Sequence, residues 1–346
     1  MNYHECSLEA ELYYCTNSLL DSMRESKIGS TRIYNCDVMD VYDEWESPTV
    51  IVSDGAYGVN GFDNDPSTPK DLKEWYEPHV QEWSRMATPE TTLWFWNTEQ
   101  GWAEVHPLLE ENNWEYRGAN IWNKGIQHIS GNSNTQKIRK FPQVTEMCVQ
   151  YVKKPVFEID GTESSMQEWL RYEWDRTELN LYEANDACNV SNAASRKYLA
   201  KDDKWYFPPS EAFVNMAEYA NEHGEESGKP YFTINGDVPT EEEWNKMRAK
   251  FNCPQGVTNV WSEPPLHNQE RFKNDKGNYV HLNQKPLKLI KRIVEASSER
   301  DDVVWSPFAG LSTTGVVCNS TNRRCFAAEI VDQYYELSVK RLESEV

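Results

Sequence analysis

Four consecutive residues without a charge, Thr49-Val50-Ile51-Val52, constrain this chain more than any other stretch. A short β-branched run of this kind packs on both faces, so it belongs inside a sheet whose two sides are covered. It stops at Ser53-Asp54-Gly55-Ala56-Tyr57-Gly58: an acid, two small residues, an aromatic and a glycine. In open α/β sheets, ligands bind just beyond the carboxyl ends of the strands. A carboxylate there can accept a hydrogen bond from an amine, and a tyrosine three residues on offers a ring face. Taken alone, the stretch reads first as a strand followed by an ordinary Asp-Gly turn.

Other segments repeat this texture. Leu8, Leu12, Leu19, Leu20 and Met23 have helical spacing and predict a helix over 5–24. Strands are expected at 32–36, ending at Asp37, and at 49–52, 91–96, 114–122 and 144–152. Between them a Gly/Asn/Asp/Pro loop covers 58–69. A helix covers 71–86 with a break or restart at Pro78, and a weaker helix, containing Pro107, covers 102–111. This alternation predicts an α/β sheet with helices on its faces. At 346 residues the chain has room for two domains.

The formal net charge of −21 argues, at face value, against nucleic acid. A local basic face can coexist with an acidic remainder, however, and a salty cytoplasm would favour such a balance while screening phosphate attraction. A mean hydropathy of −0.79 and the lack of a long apolar run speak against a membrane span. The acidic start, MNYHECSLEAELYY, has no basic region of the signal-peptide kind. Eight scattered cysteines show neither CxxC nor zinc spacing, so reduced thiols in a cytoplasmic protein without a metal are expected. Within this acidic chain, 123–141 holds Lys124, Lys137, Arg139 and Lys140 and no acid. It reads either as a solvated loop or as one that tracks phosphates beside a site.

From Pro155 the alternation stops. A helix over 181–188, a turn at Asn189-Val190-Ser191 and a second helix over 192–199 showing Asn192, Ser195, Arg196 and Lys197 have helix-turn-helix spacing. A plain helical hairpin fits as well. Further helices are expected at 208–223 and 241–251, and a strand at 256–261. The division expected is 1–154 and 278–346 as two halves of one domain, with 155–277 inserted between them.

The last seventy residues carry the second informative region. Asn283-Gln284-Lys285-Pro286-Leu287 opens a helix over 287–298, a strand follows at 302–305, and then comes Ser306-Pro307-Phe308-Ala309-Gly310-Leu311-Ser312-Thr313-Thr314-Gly315. A glycine-bearing turn between strand and helix lets a ligand approach the backbone at a helix N-terminus. It is also compatible with an ordinary connection. After a helix over 313–319, a strand over 324–328 ends in Glu329, where an acid can hold a ribose through its hydroxyls, and a helix over 333–342 follows. The turn has no Walker lysine and no GxGxxG, which disfavours a polyphosphate.

Together these segments resemble the DNA amino-methyltransferases that use S-adenosylmethionine, in their permuted (β-type) motif order. Asp54-Gly55-Ala56-Tyr57 resembles the family's (D/N/S)PP(Y/F/W) catalytic motif, and 283–287 is similar to its QKP helix. Residues 306–315 resemble its DPFxGxGTT cofactor turn, and the likeness covers roughly 30–153 and 280–346. The resemblance implies a Rossmann-like methyltransferase sheet with an inserted, mainly helical recognition domain. It implies a cofactor site of Asp37, Lys285, Pro286, Ser306, Pro307, Phe308, Gly310, Ser312, Thr313, Thr314 and Glu329, and catalysis by Asp54, Gly55, Ala56 and Tyr57. DNA contacts are expected from Lys124, Lys137, Arg139, Lys140, Asn192, Ser195 and Arg196. Gly55-Ala56 replaces two prolines, so the loop must be held by its surroundings. Ser306 and Ser312 replace the usual Asp and Gly of the turn, which bears on how tightly a cofactor binds.

The activity implied is transfer of a methyl group to the exocyclic amine of a base flipped out of double-stranded DNA, adenine N6 ahead of cytosine N4. Asp54 and the Gly55 carbonyl would accept the amine N–H groups, Tyr57 would stack on the base, and Trp96 or Trp122 would form the other wall. A cognate restriction endonuclease is a candidate partner, an orphan epigenetic role is the alternative, and the protein is expected as a monomer or homodimer. Methylation of an RNA base is a rival chemistry. A helix-turn-helix DNA-binding protein on a decayed, non-catalytic core is a rival of another class.

Overall fold

The computed structural model describes residues 24–59, 65–126, 139–266, 271–272 and 284–345. The expected helix over 5–24 lies outside them except for Arg24. Two compact units are drawn from 1–87, 91–152 and 250–346, and from 88–90 with 153–249. In chain order the strands are β1 (Arg24–Ile28), β2 (Thr31–Asn35), β3 (Val50–Ser53), β4 (Thr92–Asn97), β5 (Trp114–Asn123), β6 (Thr145–Lys153), β7 (Phe157–Ile159), β8 (Thr162–Ser164), β9 (Val260–Ser262), β10 (Val303–Ser306) and β11 (Arg324–Ala328). The helices are α1 (Leu72–Met86), α2 (Glu99–Glu111), α3 (Met166–Asp175), α4 (Glu183–Ala187), α5 (Ser210–His223), α6 (Glu241–Asn245), α7 (Leu287–Ser297), α8 (Thr313–Thr321) and α9 (Asp332–Ser344).

The first unit holds a nine-stranded sheet in the order β1-β2-β11-β10-β3-β4-β6-β5-β9. Its centre, β2-β11-β10-β3-β4, is parallel, while β1 and β6 join antiparallel at either side. The uncharged run at β3 is covered on both faces, as its composition demands. Ile51 joins a core with Tyr76, Val80 and Trp83 of α1 and Val105 of α2; Val50 and Val52 join another with Ile290, Ile293 and Val294 of α7. The chain leaves β3 towards β4 on one side and β10 towards β11 on the other. The topological switch therefore lies between β3 and β10, where such sheets open a crevice.

The proline expectation needs correcting: α1 runs unbroken through Pro78. Burial of Tyr76, His79, Val80 and Trp83 along one face outweighs the single lost backbone bond. Strand β1, RESKI, was not anticipated because an exposed edge strand carries charges rather than an apolar run. Among the described residues no helix is long and apolar enough to cross a membrane.

The second unit packs the β7–β8 hairpin and α3 to α6 around Trp169, Phe213, Phe232 and Trp244, with the Phe213 and Trp244 rings stacked 3.7 Å apart. Helix α3, also not anticipated, starts with a reciprocal Ser165–Glu168 capping box. The two helices of the expected helix-turn-helix are shorter than their spacing suggested. Helix α4 has five residues, and Ala194–Tyr198 is a π-helical turn. A buried clasp joins them: Asn185 Nδ2 donates to Ser195 Oγ at 3.0 Å, and Ser195 N–H donates to Asn185 Oδ1 at 3.0 Å. The expected helix over 241–251 stops at Asn245. The unit ends at 249 rather than 277, since β9 pairs with β5 and belongs to the sheet.

Candidate active site

Strands β3 and β10 are parallel neighbours, with Val50 opposite Val304 and Ile51 opposite Trp305. The Asp54 loop and the 306–315 turn therefore leave the same edge side by side. A Cβ added to Gly55 would stand 2.7 Å from the Phe308 ring and 2.8 Å from the Tyr76 hydroxyl. That contact explains why this loop carries glycine where the resemblance expects proline. The loop is held from outside instead: the Ala56 carbonyl accepts from Tyr76 Oη at 3.1 Å and Asn97 Nδ2 at 2.9 Å.

Asp54 is part of a buried charge network. Its Oδ1 accepts from Lys285 Nζ at 2.7 Å and lies 2.8 Å from Tyr57 Oη, whose one proton it shares with Glu146. Glu146 of β6 completes it: Oε1 accepts from Tyr57 Oη at 2.6 Å and pairs with Lys285 Nζ at 2.9 Å, while Oε2 pairs with Lys124 Nζ at 2.8 Å. Two carboxylates thus face two ammonium groups. Burial alone would raise the Glu146 carboxyl, but Lys285 and Lys124, helped by the Tyr57 hydroxyl, hold it down at about 2. Burial opposes the charge of Lys285 as well, yet Asp54 and Glu146 raise it above its ordinary value. Burial and the same two carboxylates push the Tyr57 hydroxyl well up, so it remains a donor. A lone buried ammonium or carboxylate would be costly here; the set is tolerable because each charge has an opposite neighbour.

The turn after β10 is held by different means. Glu329 accepts from Gly310 N–H at 2.7 Å through Oε2 and from Val331 N–H at 2.9 Å through Oε1. Burial raises this carboxyl to about 7 although both N–H groups act to lower it. Helix α9 braces the turn from outside: Ser338 Oγ donates to the Gly310 carbonyl at 2.9 Å. Arg341 Nη1 donates to the Leu311 carbonyl at 2.8 Å and to Thr313 Oγ1 at 3.0 Å. Ser312, in place of the family's glycine, sits at φ 51°, in the left-handed region that favours glycine. Its buried hydroxyl has no partner among the described residues.

Asp54, Tyr57 and Lys285 come together, whereas Pro286, Ser306, Pro307, Phe308, Gly310, Thr313 and Thr314 lie at the helix start and the turn. Lys285, expected with the cofactor, pairs with Asp54. Asp37 follows β2 and accepts from Met39 N–H at 3.0 Å; Asn35, just before it, donates to the Glu329 carbonyl at 3.1 Å. Trp96 is fully buried among Trp122 and Trp261, so it offers no free wall. Trp122 lies beneath the Lys124 ammonium, 4.7 Å from its centroid. Lys124 is turned inward to Glu146 rather than out to phosphate, because the buried carboxylate needs a second cation. Lys137 and Asn283 lie outside the described residues, and Arg139 and Lys140 are exposed. Asn192 and Arg196 are exposed as expected, but Ser195 is buried in its clasp with Asn185. Sequence reasoning missed Glu146, whose one signal was an acid inside the apolar run VTEMCVQYV, and the bracing pair Ser338 and Arg341.

Among curated proteins, the chain is similar to the Type II methyltransferase M.HinfI of Haemophilus influenzae, 36% identical over 97 residues, 28% of this chain and 27% of that protein. It is also similar to the DNA adenine methyltransferase YhdJ of Escherichia coli (strain K12), 34% identical over 124 residues, 32% of this chain and 40% of that one. The chain thus spans well under half the length of these relatives. The solved M1.HpyAVI–SAM complex shares the fold at a TM-score of 0.50, with 16% identity over 90% of this chain and 98% of that one. A family model described as DNA methylase, of the N6/N4 type, matches residues 49–340, a stretch that takes in both the Asp54 loop and the Glu329 turn. With its two site halves inside that match, the chain belongs to the N6/N4 DNA methylase family.

Proposed function

We propose that this protein transfers a methyl group from S-adenosylmethionine to the N6 amine of an adenine flipped out of double-stranded DNA. One observation carries the reading. The Asp54 loop and the 306–315 turn leave adjacent parallel strands at the topological switch, with Gly55 packed on Phe308. An acceptor for an amine and a turn suited to a nucleoside therefore lie next to each other. The residues fit the cofactor: the Ser312 hydroxyl is buried without a partner among the described residues, and Glu329 lies at the end of β11 as an acceptor for a ribose diol. Phe308, Gly310, Ser312, Thr313, Glu329 and Asp37 are the residues that would hold it. S-adenosylmethionine supplies an electrophilic sulfonium methyl group.

The chain's own part is positioning. An exocyclic amine is a poor nucleophile because its lone pair is delocalised into the ring. Asp54 and the Gly55 carbonyl accept its two N–H groups, which draws the nitrogen towards tetrahedral geometry. Asp54 Oδ1 is taken by Tyr57 and Lys285, so Oδ2 is the oxygen for the amine. Lys285, itself paired with Glu146, holds that carboxylate in place. The second unit reads the sequence through exposed Arg196, and Arg139 and Lys140 hold phosphates. The DNA adenine methyltransferase named among the relatives supports adenine over cytosine.

The test is transfer of labelled methyl groups into a randomised-site DNA library, followed by nucleoside digestion and mass spectrometry. N6-methyladenine in one sequence context is expected, with Arg196→Ala relaxing that context by ~1–3 kcal/mol of discrimination. N4-methylcytosine would move the target, label entering RNA alone would move the substrate, and no label at all would contradict the activity.

A further inference from the structure

The buried carboxylate of Glu146 reaches the Asp54 network from outside both the Asp54 loop and the 306–315 turn. It comes from β6, ninety residues beyond the loop it serves, and it is 7% exposed. It touches both groups that touch Asp54: Tyr57 Oη at 2.6 Å and Lys285 Nζ at 2.9 Å. Lys124 Nζ, at 2.8 Å from the other oxygen, balances it. The two cations and two anions cancel, so Lys285 is shared between two carboxylates rather than owned by one.

We propose that Glu146 is a positioning residue for methyl transfer: by holding Lys285 and Tyr57 on Asp54 Oδ1, it leaves Asp54 Oδ2 as the oxygen that takes the target amine. The inference rests on the function proposed above. Without Glu146, Lys124 loses its carboxylate partner and Asp54 no longer shares the Lys285 ammonium with a second carboxylate of the network. The ammonium then closes fully on Asp54 and competes with the amine for its lone pairs. A side chain that acts in this way changes the chemical step and leaves the cofactor turn, held by Glu329 and α9, untouched.

Three variants, Glu146→Gln, Glu146→Asp and Tyr57→Phe, compared with the wild type for kcat, for cofactor affinity by calorimetry and for Tm, test this. Glu146→Gln is expected to lower kcat by roughly tenfold to a hundredfold, the scale of a misplaced reacting group, with cofactor Kd within about threefold of wild type. Glu146→Asp is expected to recover a substantial part of that loss. Tyr57→Phe, which keeps the ring and loses both hydroxyl bonds, is expected to lower kcat severalfold with cofactor Kd unchanged. It decides the matter if Glu146→Gln does not fold. An active wild type with Glu146→Gln or Tyr57→Phe at full kcat overturns the inference alone. So does a loss in which kcat, cofactor affinity and Tm fall together without recovery by Glu146→Asp. A wild type that binds cofactor but transfers no methyl group overturns the function and the inference with it.

Discussion

The two halves of the site sit on neighbouring strands and are held by opposite means. Around Asp54, side-chain charges do the holding: Lys285, Glu146 and Lys124 converge from three distant segments. Around the turn, the backbone does it: one carboxylate, Glu329, takes N–H groups from Gly310 and Val331, and α9 clasps the turn carbonyls. The first arrangement suits a group that must stay ionised and aimed. The second suits a turn that must keep its shape while a ligand comes close to its backbone. Charge pairs are strong only while every member is present, whereas amide bonds are individually modest and fail one at a time.

The sharpest way to break this contrast is Lys285→Met. Removing the shared ammonium leaves the buried Glu146 and half-buried Asp54 carboxylates against Lys124 alone, and a loss of ~3–5 kcal/mol of stability is expected in urea denaturation. The pH dependence should change with it. Glu146, held at about 2, contributes stability that is complete above its ordinary 4.5 and lost as pH falls towards 2. In Lys285→Met that acid limb should shrink. A variant as stable as wild type with an unchanged limb would mean that the charges are not what holds this half.

Glu329→Gln is the corresponding cut in the other half, and its pH dependence runs the opposite way. Glu329 is raised to about 7, so ligand-free protein should lose stability as pH rises from 4.5 through 7, by on the order of 3 kcal/mol at 1.36 kcal/mol per pH unit. The variant should lose that slope, and cofactor affinity should fall about tenfold because a charged acceptor for the ribose is gone. Melting curves across pH and calorimetry check both. Smallest is Ser312→Gly. Glycine adopts φ 51° freely, so ligand-free protein should gain about 1 kcal/mol, while cofactor affinity falls a few-fold with the hydroxyl. Stability and affinity that move in the same direction would remove Ser312 from the cofactor site.

The same contrast governs what was legible in the sequence. The turn is local: Gly310 and Glu329 are nineteen residues apart, linked by one helix and one strand, so a motif read along the chain captures the contact. The parallel core was legible for the same reason, since Val50–Ser53, Thr92–Asn97 and Val303–Ser306 are apolar on both faces and cannot sit elsewhere. The charge network is not local. Lys285 lies 231 residues from Asp54, and an acid within an apolar strand does not say which cation it meets. Lys124 was read as a phosphate ligand because composition shows the sign of a charge and not the direction it faces. The exposed strand β1 escaped because it carries no apolar period of the expected kind, and the helix expected over 192–199 forms only as a π turn at Ala194–Tyr198.

The central claim is that Asp54 handles the target amine while the turn holds the cofactor, and Asp54→Asn separates the two most directly. Asparagine keeps the shape of the side chain and loses the charge. In one preparation, cofactor binding is measured by calorimetry and single-turnover methyl transfer by label incorporated into DNA. The account predicts cofactor Kd within about threefold of wild type and transfer lowered by roughly 10³-fold, the scale seen when a group acting on the reacting atoms is removed. Transfer at the wild-type rate, or a cofactor affinity that falls as far as the rate does, would contradict it.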